Sequence, residues 1–113
     1  MKLLSQKLLL KHLSKNKGNK LLKQAIYKLV NDFESNRILN EEDLIRIRPD
    51  ADRVHSDGYY FLNIKDSRTM VLIIFDEEES MVIWCGNHDK YQSIFRNNKN
   101  TIKKWFKSKK LTK

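Results

Sequence analysis

The run from Met81 to Phe95, M-V-I-W-C-G-N-H-D-K-Y-Q-S-I-F, puts a histidine and a tyrosine three residues apart, where an apolar stretch gives way to a polar start. Met81 to Cys85 are apolar without alternation, which predicts a strand covered on both faces at the centre of a sheet. Gly86 ends that pattern and Asn87 is a good helix N-cap. Asp89 falls in the first turn, where the helix dipole favours a carboxylate, and Ile94 and Phe95 give the new helix an inner face. Residues three apart share a helix face, so His88 and Tyr91 can point together into a cleft at the strand end. The start of a helix also offers free N–H groups and a partial positive charge that attract phosphate. An imidazole there suits acid or base work, and a phenol suits proton transfer. A plainer reading stands beside this one, with His88 a surface residue next to a cap and Tyr91 a core filler.

The rest of the chain must supply the frame. A length of 113 residues predicts one domain with one core. No apolar run is long enough to cross a bilayer, so no membrane role is expected. The lone Cys85 excludes a disulfide framework and points to a reducing, cytoplasmic setting. Histidines at 12, 55 and 88 are too scattered for metal-ligand spacing, and three glycines leave no phosphate loop, so neither a metal nor a cofactor is expected. Charge is more informative. Residues 1–31 hold eight lysines and no acid, residues 96–113 hold eight basic residues and no acid, and all fourteen carboxylates lie between Asp32 and Asp89. Basic ends of this kind favour a polyanion such as nucleic acid, unless the lysines serve only solubility.

Taken in order, residues 1–5 predict a strand and 6–35 a helical hairpin. Ser5 would cap the first helix, with Leu9, Leu10 and Leu13 inward. K-N-K-G-N forms the turn, and the second helix carries a broad apolar stripe from Leu21 to Phe33. Asn40 followed by Glu41, Glu42 and Asp43 starts a short helix that Pro49 stops. Residues 53–86 form a sheet meander: an edge strand at Arg53–His55, strands Tyr59–Ile64 and Thr69–Phe75 around a Lys65–Ser67 turn, an acidic loop at Asp76–Ser80, and the strand from Met81. Residues 87–110 are C-terminal helices. There Ile102, Trp105 and Phe106 recur at i, i+3, i+4, which favours docking on the domain over stacking on a base. The class is α+β, a helical hairpin packed on a small, mainly antiparallel sheet with a short C-terminal helix and a basic tail.

The opening M-K-L-L-S-Q-K, the strand S-R-T-M-V-L-I-I-F and the G-N-H-D-K-Y at the end of the last strand resemble HigB-type toxins of the RelE/ParE superfamily. The resemblance spans Met1 to Phe95. It implies a RelE-like fold and a cytoplasmic, metal-independent ribonuclease that cuts messenger RNA, often within the ribosome. It also implies silencing by a cognate antitoxin, of helix-turn-helix, HigA-like type, with operator DNA contacted only through that antitoxin. Arg68, His88 and Tyr91 occupy the family's catalytic positions. Cleavage without a metal needs the 2′-hydroxyl deprotonated, the pentavalent phosphate stabilised and the 5′-oxygen protonated. Arg68 with Lys65 suits the phosphate, and Lys90 adds charge. Arg53 and His55 are further candidates for the same cleft, and Lys103, Lys104 and Lys107 for RNA contact along the last helix. Arg68 could equally serve a salt bridge to Asp66 or to an acid of the 76–79 loop. A non-cleaving, ParE-like toxin that grips a protein or nucleic acid, and an inactive homologue, are the other classes open. Lys20, Lys23 and Lys28, flanking the apolar stripe of the hairpin, mark the expected antitoxin surface.

Overall fold

The computed structural model describes residues 1–96 and 98–109, and of Lys99 the backbone alone. Asn97 and the last part of the expected basic tail, residues 110–113, lie outside the described residues. In chain order the elements are β1 (Lys2–Leu4), α1 (Lys7–Lys15), α2 (Lys20–Glu34), α3 (Glu41–Ile47), β2 (Asp52–His55), β3 (Tyr59–Ile64), β4 (Ser67–Ile74), a 3-10 turn at Phe75–Glu77, β5 (Glu79–Asn87), α4 (His88–Phe95) and α5 (Lys99–Ser108). The five strands form one mixed sheet in the order β1-β5-β4-β3-β2. All neighbours are antiparallel except β1, which runs parallel to β5 from Lys2↔Glu79 to Leu4↔Met81.

Helices cover both faces of this sheet. One face packs against α1, α2 and α3 through Leu9, Leu22, Ile26, Leu29, Phe33 and Leu44, which meet Tyr60, Leu62, Ile64, Val71, Ile73 and Val82. The other packs against α4 and α5 through Tyr91, Phe95, Ile102 and Phe106, which meet Tyr59, Phe61 and Met70. Ile102 and Phe106 are fully buried, and burying each such side chain contributes roughly 1.5–3 kcal/mol, so the last helix docks on the domain.

Three local expectations give way. Met81–Cys85 is apolar without alternation because the strand is bulged, not because it is sealed on both sides. The register passes from Met70↔Trp84 to Val71↔Val82, leaving Ile83 unmatched. That extra residue turns Trp84 to the α4 face while Val82 stays on the hairpin face. Met81 is exposed, Gly86 continues the strand instead of ending it, and β4 rather than β5 is the central strand. At the first helix, Gln6 and not Ser5 holds the N-cap position, with Ser5 at φ 59°. Leu10 is 53% exposed, and His12 fills the inward place one turn after Leu9. Finally, the β3–β4 turn is only Lys65-Asp66, since Ser67 already pairs with Ile64.

Candidate active site

β4 carries Arg68 on the sheet face that α4 covers, with Asn63 opposite on β3 and Gly86 opposite on β5. The backbone around it is held from several sides. The buried Arg48 donates through Nη2 to the Asn63 carbonyl at 2.7 Å and to Asp50 at 2.8 Å, and Asp50 accepts from the Asn63 N–H at 2.8 Å. The Lys65-Asp66 turn is tied to the next helix by the His88 N–H, which donates to the Asp66 carbonyl at 3.1 Å. Asn87 caps α4 as its sequence position predicts, its Oδ1 accepting from the Lys90 N–H at 2.8 Å. Lys65 takes φ 63°, a left-handed conformation that costs a non-glycine residue on the order of 1 kcal/mol and clusters at functional sites.

These constraints bring Arg68, Tyr91 and His88 together. The Arg68 guanidinium carbon lies 4.4 Å from the Tyr91 ring centroid, within cation–π range. The His88 ring stacks at 20° to the same phenol, with centroids 6.3 Å apart. Tyr91 is 2% exposed and is also wedged between Phe61 and Phe95. With its ring so enclosed it has no face to offer a base, and it acts here as the platform on which Arg68 rests. His88 is exposed. A cleft of about 370 Å³ opens over this group, lined by Asn63, Lys65, Asp66, Ser67, Arg68 and His88. Among the described residues neither Lys65 nor Arg68 forms a salt bridge, and Glu78 of the acidic loop pairs with Arg37 instead. The cleft therefore holds two cations against the single carboxylate of Asp66, a balance that attracts a phosphate.

The other basic candidates lie elsewhere. Arg53 pairs with Tyr60 on the hairpin side of the sheet and its guanidinium reaches Glu41 at 3.6 Å, so the strand pleat aims it away from Arg68. His55 packs edge-on against Tyr59 and Phe106, and its Nδ1 accepts from the Asp57 N–H at 3.1 Å. It sits opposite Tyr59, four residues of strand, about 13 Å, from Asn63. Neither reaches the cleft. Lys90 turns to the other side of the α4 start, toward Lys15 and Trp84. Lys103, Lys104 and Lys107 are exposed on α5, whose Phe106 packs over Tyr59 and His55 at the far end of the sheet. Among the described residues no group of three His, Cys, Asp or Glu side chains is placed to hold a metal ion.

Two lining residues escape a reading of the sequence. Asn63 faces Arg68 only because the turn is two residues long, which a correct strand end would have revealed. Ser67 Oγ and His12 Nε2 share a buried 2.8 Å hydrogen bond across 55 residues of chain, and no periodicity announces it. Burial, followed by the nearby Lys15 charge, holds the His12 pKa below its ordinary value, so this imidazole is neutral near pH 7. Burial also pushes the Cys85 thiol up to about 12, which makes it an inert core group.

The model of the HigB toxin family, described as the RelE-like toxic component of a toxin–antitoxin system, matches residues 22–94. No curated protein matches the chain. The matched span holds the second hairpin helix, the strands from β2 to β5 and α4, and with them Arg68, His88 and Tyr91. No helix among the described residues is long and apolar enough to cross a membrane. A family match over well more than half the chain, on the elements that build the cleft, makes this protein a member of the HigB family, the RelE-like toxins of toxin–antitoxin systems.

Proposed function

We propose that the toxin is a metal-independent endoribonuclease that cuts messenger RNA on translating ribosomes in the cytoplasm. The observation that carries this reading is the Arg68 guanidinium held over buried Tyr91 beside the exposed His88 imidazole. In the proposed reaction His88 takes the proton of a 2′-hydroxyl and the 2′-oxygen attacks phosphorus. Arg68 and Lys65 neutralise the pentavalent phosphate, the bond to the 5′-oxygen breaks, and that oxygen leaves with a proton supplied by the Lys65 ammonium or water. The products are a 2′,3′-cyclic phosphate and a 5′-hydroxyl. Purified toxin with ribosomes and a messenger should give such ends in the presence of EDTA. His88→Ala and Arg68→Ala should each slow cleavage by about 100-fold or more and relieve growth arrest. Two folded, fully active variants, or a strict need for added divalent metal, would overturn the mechanism.

The antitoxin partner belongs, in this reading, on the hairpin. Leu10, Leu21 and Tyr27 are 53%, 56% and 55% exposed on its outer side. Two adjoining grooves of about 440 and 310 Å³ run between α1 and α2 and share Leu10 and Tyr27. Lys20 and Lys23 line the first. An amphipathic, acidic segment of a helix-turn-helix, HigA-like antitoxin fits such a surface, and that antitoxin would carry any contact with operator DNA.

A further inference from the structure

A second cleft, of about 420 Å³, opens on the other side of the α4 start. It exists because β1 pairs with β5 only up to Met81, so among the described residues no strand covers the outer edge of β5 from Val82 to Asn87. The C-terminal end of α1 and the first turns of α4 flank that open edge, and His12, Lys15, Asn16, Trp84, Asn87 and Lys90 line the space between them. The two clefts meet at consecutive residues, since Asn87 borders one and His88 the other, and the His12–Ser67 hydrogen bond closes the wall they share.

We propose that this cleft is a nucleotide subsite for single-stranded RNA, holding the residue next to the scissile phosphate. The assignment rests on the cleavage reading above. Its size falls within the range of about 300–1,000 Å³ typical of small-ligand sites. Its chemistry suits a nucleotide at both ends. Lys15 and Lys90 supply two exposed cations, and the lining contains no carboxylate. Asn16 and Asn87 supply amides for a base edge or a sugar. Trp84 is half-buried and supplies the flat surface on which any base can stack. Phe61 and Phe95 meet the indole edge-on, at 88° and 85°, which fixes its plane. Gly86 makes room for it, because a Cβ there would stand 2.6 Å from the indole Cζ2.

The test uses the full-length protein with Trp105→Phe, which leaves Trp84 as the only tryptophan, and a 2′-O-methyl RNA hexamer that cannot be cut. The hexamer should quench Trp84 fluorescence, and inorganic phosphate should not. Lys15→Ala with Lys90→Ala should weaken hexamer binding about tenfold and lower the log–log salt slope by about 1.4, near 0.7 for each phosphate that is no longer neutralised. Gly86→Ala should displace the indole and weaken the quench. Because Lys15 and Lys90 are exposed, their variants fold and keep the test decisive. If the hexamer binds without quenching and the double variant keeps its affinity and slope, the subsite assignment falls while the nuclease reading survives on wild-type cleavage. If quenching and the salt effect appear in a protein that cuts no RNA, the cleft stands as an RNA-binding site and the nuclease reading falls.

Discussion

Arg68 and Tyr91, 23 positions apart in sequence, meet as guanidinium over phenol at 4.4 Å, with the ring buried and the cation at the edge of the cleft. The pairing gives each residue a distinct task. Tyr91 fixes the height and tilt of Arg68, and Arg68 presents charge where a phosphate would sit.

The first prediction separates platform from proton donor. Tyr91→Phe keeps the ring and should retain cleavage within about threefold, because the face that attracts the cation survives. Tyr91→Ala opens a cavity under Arg68 and should cost roughly 3–5 kcal/mol of stability along with activity. Single-turnover cleavage and thermal melts of both variants check this, and a loss of 100-fold or more in a folded Tyr91→Phe protein would make the hydroxyl a proton-transfer group.

Lys65 offers a second test, because its strain and its charge can be pulled apart. Glycine adopts positive φ freely, so Lys65→Gly should stabilise the fold by about 0.5–1 kcal/mol while removing one cation from the cleft. Urea melts should move up and cleavage should fall about tenfold or more. A destabilised Lys65→Gly protein would show that the lysine side chain holds the turn.

The buried pair His12–Ser67 predicts a pH dependence of stability. The folded protein keeps His12 neutral to lower pH than the unfolded chain does. As pH falls through about 6.5 the unfolded chain therefore takes up this proton first, and stability declines. His12→Gln preserves a polar group near the position of Nε2 and removes the titration, so its melting temperature should fall less between pH 7 and pH 5 than that of the wild type. Parallel curves for the two proteins would assign the acid sensitivity to other groups.

For the antitoxin, Lys20→Glu with Lys23→Glu should weaken the complex by more than tenfold, since both line the hairpin groove. Arg68→Ala should leave the affinity within about twofold. Titration calorimetry with the purified cognate antitoxin ranks the two, and the reverse order would move the antitoxin into the active site.

Sequence alone determined the parts of this protein that depend on local chemistry. The Asn87 cap, the His88–Tyr91 face, the apolar stripe of α2, the acid-rich start of α3 and the docking of Ile102 and Phe106 all follow from spacing within a few residues, and all are found where the spacing puts them. The meander was legible because turn residues punctuate it. What only the tertiary structure decided involves register and long-range pairing. The bulge at Ile83 adds one residue to β5 and so sends Trp84 to the face opposite Val82, a reversal invisible in an unbroken apolar run. The strand pleat separates Arg53 from Arg68, although both stand in the same meander and carry the same charge. The parallel pairing of the short β1 leaves the edge of β5 open beyond Met81, and His12 meets Ser67 only because α1 is laid across that sheet. Periodicity reports which residues want to be buried. It does not report which strands become neighbours or where a strand outruns its partner, and in this protein those two facts shape both clefts.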